Sequence, residues 1–360
     1  MNKNLKNLNG VYATKCREYK HYMNLGNLNM KFMIPECFRF SHQFVFFLHD
    51  SLVKIIKEGE PKGNFHISFD IKDTDIAEKI EGHSGEDLLN ILKENGYEDE
   101  CDLLFLKQIY VAVLSDFLQF VYTALKASES GKLSVTYALL RKPLKDNLFI
   151  LEWMLADTED FLKKYKSDKS YKDLAIDKIS PEKKMSIIEK ANSKIYLPII
   201  PSDFIYELRY DKSKEYSFEP AWQKANHLIT SCIHYKTEEM NLNFVFSDNY
   251  SKDSQWESLY LLLPSLLFYA MQVCYVIYSN LNPKEKIDIN FLNRAAIGFV
   301  LTSKLTSGQS DVYDQAIKDL PILCAKCGSE FRITKKIEEQ IINKWIYKCP
   351  KRHRNDFFKL

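Results

Sequence analysis

Residues 133–156, LSVTYALLRKPLKDNLFILEWMLA, constrain the fold of this chain more than any other stretch. At 100° per residue, Leu133, Tyr137, Leu140, Leu144, Leu151 and Met154 share one side of a helix. Ser134, Arg141, Lys145 and Glu152 form a narrow polar stripe on another side. Asn147 falls among the apolar positions, so in a packed helix its amide needs a hydrogen-bonding partner. Pro143 has no N–H to donate, which predicts a kink near residues 139–141.

The stretch before it, Cys101–Ser128, has the pattern of a second long amphipathic helix, and Gly131 marks the turn between them. Two long antiparallel helices joined by a short loop seed a helical bundle. Composition agrees. A chain of 360 residues with 46% hydrophobic content can bury a sizeable core, and eleven glycines and eleven prolines are few for a turn-rich sheet protein. The expected fold class is mostly α, a multi-helix bundle at 34–310. An N-terminal arm (1–33) precedes it, and a connector with a small module (311–360) follows.

The arm is polar and asparagine-rich. After Ile34-Pro35 a helix runs to Gly59 and carries His42 and His49 seven residues apart. Two turns separate them by roughly 10 Å, which favours aromatic packing or hydrogen bonds over a shared metal ion. Residues 64–71 read as a strand or an extended connection. Residues 70–102 hold twelve acidic residues against three lysines, a solvated acidic surface in which Ser84 is an expected helix cap and Asn95-Gly96 a stop. Further helices are expected at 157–169 (capped by Thr158), 181–192, 202–210, 219–236, 255–280 and 288–305, with an irregular crossing at 241–248. Ser307-Gly308 ends the bundle.

The apolar run Leu259–Tyr278 is long enough to span a membrane. It contains Pro264, Ser265 and Gln272 and has no flanking basic cluster, so a buried bundle helix is expected and no membrane partner. The start of the chain has no continuous apolar core of a secretory signal. Cys16, Cys37, Cys101, Cys232 and Cys274 are scattered without paired spacing, as reduced thiols of a cytoplasmic protein would be.

The other cysteines are spaced differently. Cys324-Ala-Lys-Cys327-Gly opens the last segment and Cys349-Pro-Lys-Arg-His353 closes it. Two thiolates two residues apart can grip one ion from a single tight turn, which Gly328 permits. FRIT (331–334) and WIYK (345–348) are strand-like pieces that would bring the two turns together. This segment resembles a zinc ribbon, although three residues separate Cys349 from His353. The resemblance implies a structural Zn2+ held by Cys324, Cys327, Cys349 and His353, with no position left for a catalytic water. Residues 321–360 carry a net charge of +6, leaving about −4 for the rest. Lys344, Lys348, Lys351, Arg352 and Arg354, interleaved with Trp345, Tyr347, Phe357 and Phe358, form a candidate nucleic-acid-binding set for RNA or DNA. The alternative is a solvated module that docks on the acidic bundle or on a partner protein.

LLRKPLKDNLFILEWMLADTEDFLKK together with AWQKANHLITSCIHYKTE (221–238) resembles HEPN-like helical proteins, including abortive-infection members. That resemblance implies a prokaryotic defence- or stress-associated role and a possible homodimer. Ribonuclease members carry an arginine and a histidine on one helix with four to six residues between them. Here Asp146 and Asn147 occupy the corresponding places after Arg141, and no such pair occurs in the chain. The resemblance therefore leaves a ribonuclease reading in which Arg141 acts with His227 or His234, on one face of a helix over 219–236. A non-catalytic scaffold is the third reading. There is no phosphate-cradling glycine loop, nucleophile elbow or HExxH pair.

Overall fold

The computed structural model describes residues 33–234, 236–237, 243, 249–307 and 320–360. The expected arm except Met33, the 311–320 connector except Leu320, and the 241–248 crossing except Asn243 lie outside them. A 3₁₀ turn at Glu36–Phe38 leads into α1 (Arg39–Gly59), followed by α2 (Thr74–Ile80), α3 (Gly85–Glu94), α4 (Glu98–Glu129) and α5 (Leu133–Arg141). A π-helical segment (Lys142–Asn147) continues directly into α6 (Leu148–Ala156). Then come α7 (Thr158–Tyr165), α8 (Ser170–Asp173), α9 (Pro181–Lys194), α10 (Ser202–Tyr210), α11 (Phe218–Asn226), α12 (Asn249–Leu281) and α13 (Ile289–Ser307). The chain is mostly α, as the periodicity predicts.

The hairpin forms as expected. Gly131 takes φ +68°, and Lys132 N–H returns to the Ala127 carbonyl at 3.0 Å, reversing the chain between α4 and α5. All six residues of the predicted apolar side are buried. Pro143 acts differently from the expected kink at 139–141. The helix widens one turn later, and Leu148 N–H reaches the Pro143 carbonyl five residues back. The wider turn offers the Leu144 and Lys145 carbonyls to donors from α10. Arg209 Nη1 reaches the first at 3.3 Å and Tyr210 Oη the second at 2.9 Å.

Two members of the polar stripe are buried in ion pairs. Lys145 Nζ lies 3.0 Å from Glu219 on α11, and Arg209 Nη2 lies 2.6 Å from Glu152 on α6, both residues of the second pair being 0% exposed. Asn147 finds its partners on α4, donating through Nδ2 to the Val113 carbonyl (3.2 Å) and to Asp116 (2.7 Å).

The centre of the bundle is α12, whose Leu259, Leu263, Leu266, Phe268, Met271 and Cys274 are fully buried against α1, α4, α6 and α13. Of its most apolar window, 83% is buried inside the protein. α4 has the length and apolarity to cross a membrane as well, a second candidate beside the expected 259–278, with 39% of its window buried.

His42 and His49 are hydrogen-bonded and ring-packed. Trp256 Nε1–H donates to Ser128 Oγ, Ser128 to Tyr260 Oη, Tyr260 to His42 Nδ1 at 2.6 Å, and His42 Nε2–H to Glu129 at 3.1 Å. This one-way order satisfies every group with a neutral imidazole. His49 bonds Asp50 and the Leu118 carbonyl.

Several local expectations need correction. Asp157 caps α7 by accepting from Asp160 N–H, a carboxylate being the better acceptor, while Thr158 Oγ1 turns back to the Met154 carbonyl. Ser84 stands at the cap of α3 without a side-chain capping bond. Residues 66–73 carry no helix or strand, so the strand expected at 64–71 does not form. The helix expected over 219–236 ends at Asn226, where His227 takes extended backbone at φ −130°, ψ 129°.

Candidate metal centre

The last segment folds as two β-hairpins flanking a helix: β1 (Pro321–Leu323), β2 (Glu330–Arg332), α14 (Lys335–Lys344), β3 (Ile346–Lys348) and β4 (Arg354–Asp356). FRIT and WIYK do contain strands, but these do not pair with each other. β1 pairs with β2 and β3 with β4, both antiparallel, and each hairpin closes around one metal-ligand turn. α14 was not anticipated, although its signal is present: Thr334 Oγ1 accepts from Ile337 N–H as an N-cap.

In the first turn Gly328 takes φ +64°, its N–H bonds the Cys324 carbonyl, and Cys324 N–H bonds the Ser329 carbonyl. In the second, Cys349 N–H bonds the His353 carbonyl, and Arg352 occupies the left-handed region at φ +64°. The extra residue of this turn is thereby absorbed without displacing His353.

The four ligand atoms of Cys324, Cys327, Cys349 and His353 lie within 4.8 Å of one another. Cys324 Sγ is 3.8 Å from His353 Nδ1, and Cys327 Sγ is 3.9 Å from Cys349 Sγ. For donors about 2.3 Å from a tetrahedral ion, the edge is about 3.8 Å. The donor set and its spacing therefore fit a metal ion held through Nδ1. All three cysteines are free thiols.

Electrostatics favour thiolates at the first turn. The Ser329 hydroxyl, 3.2 Å from Cys327 Sγ, and the Ser329 N–H pull that thiol down to about 7. At Cys324 burial pushes upward, but the N–H groups of Lys326 and Cys327 outweigh it and the thiol is lowered. At Cys349 burial prevails and the thiol is raised.

Asn355, buried beside the cluster, was missed from sequence. Its Oδ1 accepts from Ala325 N–H at 3.0 Å and its Nδ2 donates to the His353 carbonyl at 3.0 Å, so one amide ties the two turns together. Tyr347 Oη donates to the Leu323 carbonyl at 3.1 Å and joins the hairpins again. A lone asparagine between two charged residues carries no pattern that marks it.

The module docks on the bundle. Ile322, Ile333, Ile341, Tyr347 and Phe357 pack with Phe40 of α1 and with Ile297, Val300 and Leu301 of α13. Arg294 donates to the carbonyls of Phe357 (3.1 Å) and Lys359 (2.7 Å), and Asn293 to that of Pro321 (2.8 Å). Gly298 permits the approach, since a Cβ there would sit 2.6 Å from the Phe44 ring and 3.6 Å from that of Phe357.

The basic candidates Lys344, Lys348, Lys351, Arg352 and Arg354 are all exposed. Lys348 and Arg354 face each other across β3 and β4, and among the described residues only Arg354 of these five approaches an acid, Asp356 at 4.0 Å. The proposed catalytic set is arranged differently. Half-buried Arg141 lies 3.8 Å from Asp146, and His227 and His234 are exposed beyond the end of α11, so the shared helical face does not form. A cavity beside Asp146 and Asn147 and a smaller one beside Lys54 and Arg294 are lined by none of these three. No protein-family model, curated protein or solved structure matches the chain.

Proposed function

We propose that residues 321–360 bind a structural Zn2+ and hold a basic hairpin out from the helical body for contact with nucleic-acid phosphates. Three sulfurs and an imidazole suit zinc, and four protein ligands close the coordination shell against catalysis. The observation that carries the reading is the division of the module into two sides. Its apolar side is spent on α1 and α13, while Lys348 and Arg354 stand opposite each other on the β3–β4 hairpin with Lys351 and Arg352 at its turn. Among the described residues Lys348, Lys351 and Arg352 have no acidic partner, which keeps their charge available to phosphate. The exposed Trp345, in edge contact with Phe358, offers a ring to an unstacked base. A defence- or stress-associated role in a prokaryotic cytoplasm rests on the HEPN-like pattern of 139–164 and 221–238 alone. The ribonuclease reading loses support because Arg141 is engaged by Asp146 and α11 ends before His227.

Fluorescence anisotropy of a labelled single-stranded RNA against salt tests this. With five phosphate contacts, log K against log salt should fall with a slope of about −3.5. Reversing Lys348 and Lys351 to glutamate should abolish binding and leave bound zinc unchanged. Full binding by that double variant would overturn the reading. Metal analysis showing no zinc in the purified chain would overturn its other half.

A further inference from the structure

The larger of these two cavities, about 550 Å³, is lined by Asp146 and Asn147 of the π-helical segment and takes no part in the sites described above. Its volume is in the range of small-molecule sites. Val113 of α4, Ile150 of α6, and Leu174 and Ile176 of the loop after α8 give it an apolar floor. The polar groups around that floor are Asp116, Asp146, Asn147, Asp177 and a single cation, Lys178.

These groups mostly accept. Asn147 is 7% exposed, and its Nδ2 is fixed between two acceptors, the Val113 carbonyl and the Asp116 carboxylate. The amide can take no other orientation, and its Oδ1 accepts no hydrogen bond among the described residues. Asp116 is already paired with Lys142 at 2.7 Å. Asp146 and Asp177 are not matched in this way. Asp146 has one ion pair among the described residues, Arg141 at 3.8 Å and without a hydrogen bond, while Lys142 and Lys145, bonded to other carboxylates, and Lys184 add weaker attraction; Asp177 makes no ion pair among the described residues. Burial raises the Asp146 carboxyl above the usual range, against the pull of Arg141. A cation bound there would replace lost solvation.

The π-helical segment explains how adjacent residues come to serve one site. Its widened turn sets Asp146 and Asn147, neighbours in sequence, against the same cavity.

We propose that this cavity binds an organic ammonium ligand of the linear diamine or polyamine class, its charged ends on Asp146, Asp177 and Asn147 Oδ1 and its alkyl chain on the apolar floor. A divalent metal ion would require six or more oxygens drawn close together, and an apolar floor gives it none. A phosphate would meet carboxylates, so the site is distinct from the basic hairpin.

Isothermal titration of the full chain with putrescine and with spermidine tests the proposal. Saturable one-to-one binding is expected. Asp146→Asn and Asp177→Asn, which keep side-chain size, should each weaken it about tenfold. Asp99→Asn, an exposed carboxylate elsewhere on α4, should leave it unchanged. Methylammonium, which lacks the chain, should bind more weakly than putrescine. The proposal is overturned by absence of saturable binding at millimolar amine, or by equal loss in Asp99→Asn, which would mean general charge attraction. Displacement of the amine by equimolar Mg2+ would overturn it in favour of a metal site.

Discussion

In the helical body, α12 places apolar side chains on every side and its neighbours surround it, so burial alone is extensive. In residues 321–360 the second apolar cluster takes only Ile322, Ile333, Ile341, Tyr347 and Phe357 from the module, and four more from the body. The same contrast holds for charge. The body can keep Glu152 and Arg209 wholly out of water because packed helices hold them in register. The module puts its charges on the outside and keeps Cys324 and Cys349 buried, with Cys327 and His353 half-buried beside them. A large core tolerates a buried ion pair, whereas a small one needs a ligand cluster as a substitute for apolar area.

Metal removal should separate the two regions most strongly, because structural zinc contributes roughly 10–16 kcal/mol to small zinc-binding folds. Chelation, or Cys349→Ser, should abolish amide-exchange protection across 321–360 while α1, α4 and α12 stay protected. Retained protection in the metal-free module would break the comparison, since the contacts with Phe40, Ile297 and Leu301 would then suffice.

The body has its own vulnerable point. Glu152→Gln leaves the buried Arg209 guanidinium without its counter-charge and should destabilise the protein by about 3–5 kcal/mol. Glu152→Leu combined with Arg209→Met should recover most of that loss. Urea unfolding of the single and double variants measures both. If the double variant is no better than the single, the body depends on this pair and not on its apolar packing.

Acid should act on the body through His42. Burial takes its imidazole down to about 4 although Glu129 is 3.1 Å away, so the folded protein keeps it neutral. Because this value lies below the ordinary 6.5, its contribution is fully present above pH 6.5 and is lost as pH falls toward 4. The loss should reach about 3 kcal/mol. Exchange of the α1 amides should report it, and His42→Gln should flatten the dependence.

How far these regions were legible in the sequence follows from the range of the forces. The hairpin of α4 and α5 could be read because apolar spacing and Gly131 act locally, and Cys324, Cys327, Cys349 and His353 because thiolate spacing is itself the chemistry. Asn147 was flagged as needing a partner, but Asp116 lies on another helix and has no local signature. The widening at Pro143 goes with Arg209 and Tyr210 donating to the freed carbonyls from sixty-five residues away. α11 ends at Asn226 and leaves His227 and His234 off the expected face, an end the sequence does not signal because no glycine or proline stands there. β1 and β4 give no such signal because PIL opens on proline and RND is wholly polar, whereas β2 and β3 carry Phe331 and Tyr347.

The smallest effect bears on the module's second turn. Arg352 holds φ +64°, where an L side chain crowds its own backbone and glycine does not. Replacing it removes a proposed phosphate contact whatever residue is put in, so alanine and glycine give the same charge and differ only in backbone freedom. Arg352→Gly should therefore be more stable than Arg352→Ala by about 1 kcal/mol, with metal retention under a chelator following the same order. Their nucleic-acid affinities should be equal and slightly below that of the unaltered chain. If affinity instead follows stability, the basic surface is set by the shape of the metal-held turn and not by the charge at 352. The module would then resemble the body, with function resting on packing.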